Sequence, residues 1–233
     1  MNQRIIAIDG PAGSGKSTAA RRLAKALGFT HLNTGAMYRA VALLAQEGGI
    51  DLHDEKKTQL IVDVAHNMRF EYHVNAGQER FVVNAQDRTE ALFTAALTGQ
   101  LKPVVTIPAV REVLVDKMRS ATQEFLANGA PGVVMEGRDI GTVVFPNASL
   151  KFYIHASLDA RASRRAAQLE ARGEIVDLQG LRNQIQYRDD SDKAREVGAL
   201  KQAFDAIDVD TTGLDEEATL RYLVQEVNKK QLV

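Results

Sequence analysis

The chain has 233 residues, 45% hydrophobic and 25% charged, with a formal net charge of −1; this suits a folded α/β protein and excludes intrinsic disorder. No apolar run reaches the roughly 18 residues of a membrane-spanning helix, and the small net charge gives no global attraction to nucleic acid or anionic lipid. With no cysteine, disulfides, Cys-ligated zinc and thiol chemistry are excluded.

Residues 4–9 (RIIAID) are a short Ile-rich run ended by Gly10-Pro11, the pattern of a buried strand. Residues 17–27 set Ala20, Leu23, Ala24 and Leu27 on one helical face, away from Arg21, Arg22 and Lys25, and Gly28 is a natural stop. A short strand over 29–32 and a helix over 35–46 are expected next. Residues 51–105 read differently. A helical stretch near 60–65 leads to candidate strands at 68–74 and 80–84 around Asn75-Ala76-Gly77, a spacing that suits a hairpin turn. Such a hairpin inside an alternating chain reads as an insert with its own small lobe. Alternation resumes with a helix over 110–126, strands at 132–135, 150–154 and 206–209, and helices over 157–172, 178–187 and 214–229. Strands separated by helices imply a parallel β-sheet flanked by helices, with ligands beyond the carboxyl ends of the strands. No repeat or linker divides the sequence, so residues 1–233 are read as one domain.

Gly10-Pro11-Ala12-Gly13-Ser14-Gly15-Lys16-Ser17 matches G-x-x-x-x-G-K-[ST] and stands between a strand and a helix, where its mechanism requires it. Glycines let the backbone curl so that successive N–H groups point into one concavity, and the helix N-terminus adds partial positive charge. Lys16 is placed to reach the β- and γ-phosphates of a nucleotide, and the Ser17 hydroxyl to ligate Mg2+. A chance glycine-rich turn explains the glycines but not Lys16-Ser17 behind a buried Ile strand. Residues 1–40 also carry six Lys/Arg against the single Asp9, which favours a polyanion. A GTPase reading fails: Asp210-Thr211-Thr212-Gly213 lies too near the C-terminus for a switch, and Asn228-Lys229 has no Asp two residues later. An ATPase motor lacks its hydrophobic strand ending in Asp; the nearest equivalent, Val133-Val134-Met135-Glu136, ends in glutamate. A compact P-loop chain with an inserted lobe and an arginine-rich later helix fits a small-molecule kinase.

Phosphoryl transfer needs in-line placement and charge neutralisation more than acid–base chemistry. A phosphate monoester acceptor is mostly dianionic at pH 7 and requires no general base. His31, His53, His66, His73 and His155 show neither metal-ligand spacing nor a triad, in keeping with that chemistry. Bringing two polyanions together calls for arginines, whose planar fork binds phosphate bidentately. Candidates cluster in short words: Tyr38-Arg39, Arg111, Gly137-Arg138-Asp139, Arg188-Asp189-Asp190-Ser191-Asp192 and Arg195.

These words carry a resemblance to the bacterial cytidylate kinase family, within the nucleoside monophosphate kinases. The matching motifs are IDGPAGSGKST (8–18), NTGAMYRA (33–40), PAVRE (108–112), EGRDIGTVVFP (136–146) and QYRDDSDKAR (186–195), in order along most of the chain. The resemblance implies a P-loop fold with a monophosphate-binding insert, about 60–105, and a helical lid, about 157–173. It implies ATP as phosphate donor, CMP and dCMP as acceptors, and Mg2+. Gly10, Pro11, Ala12, Gly13, Ser14, Gly15, Lys16, Ser17 and Thr18 would hold the ATP phosphates, with Ser17 at the metal. Thr34, Tyr38 and Arg39 would stand on the acceptor side, Arg39 toward the CMP phosphate. Arg111 and Asp139 would read the cytosine edge, Arg138 would help bind the acceptor phosphate, and Arg188, Asp192 and Arg195 would line the sugar and phosphate. On the lid, Arg161, Arg164 and Arg165 would be free to close over the transferring group, so that Lys16, Arg138, Arg164 and Arg165 form the catalytic set. Cytosine offers an N4 amino donor beside N3 and O2 acceptors, which one carboxylate and one guanidinium complement. Two departures lie in the insert: Lys102 stands where the family usually has a serine, and Phe93 where an arginine is common. A cytoplasmic monomer without nucleic-acid or membrane partners is expected.

Overall fold

The Ile-rich run near the start forms β1 (Ile5–Asp9), with all five residues buried. The computed structural model describes residues 4–75 and 78–232, which divide into two compact units. One holds the chain up to His31 and from Phe125 onward; the other is Leu32–Glu124. In chain order β1 is followed by α1 (Lys16–Leu27), β2 (Thr30–Asn33), α2 (Thr34–Glu47), α3 (Thr58–Asn67), β3 (Phe70–Asn75), β4 (Gln78–Val83) and β5 (Gln86–Asp87). Then come α4 (Ala95–Gly99), α5 (Leu101–Val105), α6 (Pro108–Ala127), β6 (Val133–Gly137) and β7 (Leu150–His155). The chain ends with α7 (Leu158–Glu170), α8 (Leu178–Lys193), β8 (Ile207–Asp210) and α9 (Glu216–Lys229).

The larger unit is built on a sheet of order β2-β6-β1-β7-β8. β1 runs parallel to β6 on one side and β7 on the other, with Ile6 opposite Val134 and Leu150. A strand paired on both edges and covered on both faces must be apolar throughout, which is why RIIAID reads as a run rather than an alternation. Ile6, Ile8, Leu23, Phe152, Ile154, Leu223 and Val227 meet in the core, so α1 and α9 cover this sheet with their apolar stripes. The expected flanked parallel sheet is present. Its carboxyl edge delivers Asp9, Gly137 and His155 to the loops that carry the chemistry.

In the smaller unit β3 and β4 pair antiparallel with Tyr72 opposite Phe81, and β5 extends the sheet. Phe81 is fully buried among the rings of Tyr72, Phe93 and Phe70, with centroids 5.2, 5.4 and 6.1 Å away. The expected hairpin is therefore formed; Ala76 and Gly77 of its turn lie outside the described residues.

In the larger unit two elements depart from the sequence reading. The helix expected to end at Tyr187 runs on to Lys193, and its buried positions change from Ile185 to Asp189 and Asp192. Apolar periodicity stops there because charged residues occupy the inward face. The second departure is one π-helical turn over Ile140–Val144, after β6. Such turns are rare and concentrate at functional sites.

Candidate active site

Gly10 leaves β1 so close to β7 that a Cβ on it would lie 2.0 Å from the Ile154 carbonyl oxygen, so only glycine fits. Gly15, at φ +84°, takes the left-handed conformation that opens α1. The N-cap, Gly15, has no side chain to cap this helix, and no acidic residue stands in its first turn. Its first N–H groups are thus left to an anion, with the helix dipole behind them. Ser14 is buried, and among the described residues its Oγ has no hydrogen-bond partner. Ser17 is exposed one residue inside the helix.

Lys16 is buried, and its Nζ donates to the Pro11 carbonyl oxygen at 3.1 Å. Burial, with the Arg138 and Arg188 guanidiniums nearby, lowers its ammonium from 10.5 to about 7, against the pull of Glu136 and Asp192. Lys16 therefore stands among cations as well as carboxylates.

Asp192 organises those cations. Its carboxylate accepts from Arg138 Nε at 2.8 Å and from Arg195 Nη2. Burial opposes its charge, but Arg138 and Arg195 outweigh burial and hold the carboxyl below its ordinary range. Arg188 lies a helical turn before Asp192, and burial followed by Arg138 lowers its affinity for its proton. The EGRD word enters the π-helical turn at Asp139, which is 5% exposed. Asp9 fixes this turn: its two carboxylate oxygens accept from the Ile140 and Gly141 amides at 2.8 and 2.7 Å. Burial pushes the Asp9 carboxyl up to about 7, against those two hydrogen bonds.

The lid arginines do not all stand free, which corrects the sequence expectation. Arg161 is buried; it donates from Nη1 to the Ala12 carbonyl oxygen at 2.8 Å and to Asp189 at 2.5 Å. Arg164 is tied to the Thr211 hydroxyl and carbonyl oxygens and to the Leu214 carbonyl oxygen. Arg165 donates to Gln168 of its own helix at 3.3 Å. Spacing alone could not show this, because the apolar period of α7 runs through Ala162 and Ala166 and does not set Arg161 apart from Arg164 and Arg165.

Within the smaller unit, Arg39 donates to the Leu92 carbonyl oxygen at 3.0 Å and the Thr98 hydroxyl at 2.7 Å. Its guanidinium also lies 5.1 Å from the centre of the Phe93 ring. Phe93, one of the two departures, thus acts as an aromatic platform for Arg39. Arg111 is 3% exposed, donates toward the Val105 carbonyl oxygen at 3.4 Å and stacks 5.4 Å from the Tyr38 ring. Thr34 is buried at the start of α2, whereas Lys102, the other departure, is exposed on α5.

The sequence profile of the cytidylate kinases, described as "Cytidylate kinase", matches residues 6–229. The chain belongs to the cytidylate kinase family. A cytidylate kinase of Pelotomaculum thermopropionicum is 43% identical over 96% of this chain and 95% of its own length. One of Pseudomonas syringae pv. tomato is 40% identical over 96% and 94%. Among solved structures, an uncharacterized protein from Eubacterium ventriosum aligns over 97% of this chain and 99% of its own, with TM-score 0.51 and 12% identity, a likeness of fold.

In this cytidylate kinase family member, Lys16, Arg138, Arg188, Asp192 and Arg195 come together in the larger unit. Tyr38 and Arg111 come together in the smaller one, as do Arg39 and Phe93. Sequence reasoning missed Asp9 and Asp189 as members of the site, and set Arg161 free on the lid where it is buried against Ala12 and Asp189. Asp189 stood within the RDDSD word, yet its role depends on facing inward from a helix expected to end at Tyr187. Ala12 was assigned to the ATP phosphates, and its amide is committed to Asp189 at 3.0 Å.

Proposed function

We propose that the chain transfers the γ-phosphoryl group of ATP to CMP, and to dCMP, by in-line displacement. The family relationship supports ATP-dependent phosphorylation of CMP. The observation that carries the mechanism is the grouping of buried Lys16 with the half-buried Arg138, Arg188 and Arg195 around the buried Asp192, beside the phosphate loop. Four cations lining one place focus a field that favours a polyanion there.

In this reading the α1 N-terminus and Lys16 cradle the donor phosphates. Among the described residues no group of three or more His, Asp or Glu side chains is placed to hold a metal ion unaided. The exposed Ser17 hydroxyl at the start of α1 fits Mg2+ and would be its protein ligand, the ion arriving with the nucleotide. Bound there, it would supply charge neutralisation to the phosphates. Asp192 aims Arg138 and Arg195, which with Arg188 bind the acceptor phosphate; that group, a dianion at pH 7, attacks without a general base. Arg39, steadied by Phe93 and Thr98, is assigned to the CMP phosphate, and Thr34 and Tyr38 to the acceptor side. Arg111 and Asp139 are assigned to cytosine. Uracil reverses donor and acceptor at positions 3 and 4, setting a carbonyl against Asp139, so UMP is the poorer substrate. Arg165, and Arg164 on release from Thr211, are assigned to the transferring group. We read residues 1–233 as one kinase domain, with its insert at about 60–105 and its lid at about 157–173. No described helix is long and apolar enough to cross a membrane, and a cytoplasmic monomer acting on small molecules is the state proposed.

A coupled assay over CMP, dCMP, UMP, AMP and shikimate tests the reading. CMP and dCMP are expected to turn over fastest; faster turnover of AMP or shikimate overturns it.

A further inference from the structure

Both polar groups of Ala12, in the middle of the phosphate loop, are held by two side chains remote in sequence. Its N–H donates to Asp189 Oδ1 at 3.0 Å. Its carbonyl oxygen accepts from Arg161 Nη1 at 2.8 Å. Arg161 and Asp189 bond each other at 2.5 Å, and Arg161 Nε donates to the Ala156 carbonyl oxygen at 3.0 Å, where β7 gives way to α7. Arg161 and Asp189 are 6% and 3% exposed. Gly13 packs directly on this arrangement, since a Cβ there would lie 3.5 Å from Arg161 Cβ. The pair does not face solvent as a lid arginine would, nor does it cap either of its own helices.

Asp189 stands on α8 between Arg188, beside Lys16, and Asp192, which aims Arg138 and Arg195. One short stretch of α8 therefore grips the donor loop with Asp189 and orders the acceptor-side arginines with its neighbours. In-line transfer depends on the distance between those two groups, and a misplacement of 1 Å costs about 10²-fold. We propose that the Arg161–Asp189 pair is a positioning device that clamps Ala12, fixes the shape of the phosphate loop and sets its register against α8. Neither side chain touches a reacting atom; both act through the loop and through α8.

This inference rests on the phosphate loop's being the ATP site, so ATP binding is measured directly by calorimetry, separately from turnover. Three variants are compared with the parent: Asp189→Asn, Arg161→Lys, and the double variant Arg161→Met/Asp189→Leu. Asn keeps an acceptor for the Ala12 amide but weakens the hold on Arg161; Lys keeps the charge but has no fork to reach Ala12, Ala156 and Asp189 together. In both, kcat per folded molecule is expected to fall about 10–100-fold, with ATP binding weakened by about tenfold. A single substitution strands a buried charge, whereas the apolar pair does not, so the double variant is expected to be the better folded. Its kcat and ATP affinity are nevertheless expected to stay low, because Ala12 has lost its anchors. Recovery of both to within threefold of the parent in the folded double variant overturns the clamp and leaves the pair merely structural. If the single variants do not fold, the double variant decides alone. A parent that does not bind ATP sinks the functional reading instead.

Discussion

Lys16→Met separates what a residue does for the reaction from what it costs the fold. The Lys16 ammonium is buried beside Arg138 and Arg188 and falls from 10.5 to about 7. At about 1.4 kcal/mol per tenfold change in proton affinity, that corresponds to on the order of 4–5 kcal/mol charged against the folded state. Methionine matches the length of the apolar stem and carries no charge. It gives up the bond from Nζ to Pro11, worth about 1 kcal/mol. Imperfect fit takes a further share, so the variant is expected to be more stable than the parent by about 2–3 kcal/mol at pH 7. The sign follows from proton counting: between pH 7 and 10.5 the unfolded chain holds a proton that the folded chain has released. The parent accordingly gains stability as pH rises through that window, and the variant lacks this gain. The advantage of Met should be full at and below pH 7 and shrink toward pH 10. Turnover should meanwhile drop by about 10²–10³-fold or more, since a charge-stabilising donor to the transferring group is gone. Urea unfolding of both proteins from pH 6 to 10, beside a coupled kinase assay, measures both effects. A variant less stable than the parent, or a stability difference that stays flat from pH 7 to 10, would refute the reasoning.

Three other substitutions probe separate joints of the site. Asp9 has its carboxyl raised from 3.8 to about 7, so the parent should lose stability as pH rises between those values; Asp9→Asn should flatten that slope, and urea midpoints at pH 4.5 and 7.5 compare the two. Asp139→Asn should lower kcat/KM for CMP by about 10–100-fold and narrow the preference over UMP; an unchanged ratio of the two specificity constants removes Asp139 from base reading. Gly10→Ala forces a methyl to within 2.0 Å of the Ile154 carbonyl oxygen, so the backbone must move. A loss of more than about 2 kcal/mol in unfolding free energy is expected, with weaker ATP binding; a variant of parental stability contradicts that packing.

Much of the fold was legible because each sheet strand and its covering helix follow one simple period. RIIAID is continuous where β1 is buried on both faces, and α1 shows its stripe of Ala20, Leu23 and Ala24. The phosphate loop was legible for a different reason: its glycines and lysine act through backbone shape and local order alone. The end of α8 was not, because Asp189 and Asp192 occupy positions that periodicity reserves for apolar side chains, and what makes them acceptable there are arginines on other elements. The role of Arg161 was hidden in the same way. From the sequence it is one of three lid arginines; only the Ala12 backbone and Asp189 distinguish it from Arg164 and Arg165. Phe93 shows the opposite case, a departure from family expectation that the structure explains through the Arg39 guanidinium beside it.

The charged groups of the larger unit also divide by the direction in which burial moves them, and the division separates scaffold from reacting surface. Asp192 is buried yet ionises more readily than usual, because Arg138 and Arg195 repay its desolvation. A carboxylate in that state is a fixed point that orients other groups, and replacing it would strand two cations. Lys16 and Arg188 are moved the other way: burial and neighbouring cations make their charged forms less favourable. Burial is the larger cause in both, and around each the pull of two carboxylates is set against the push of two cations, so neither charge is fully compensated for its lost water. A phosphate entering the loop supplies that compensation and favours protonated Lys16, so binding should draw in protons above pH 7. Calorimetry at pH 8.5 in two buffers of different ionisation enthalpy reads this directly. An apparent binding enthalpy that differs between the buffers, with the sign of net proton uptake, is the expected result. Identical enthalpies would mean that Lys16 is already charged before the nucleotide arrives, and that its burial carries no message about the substrate.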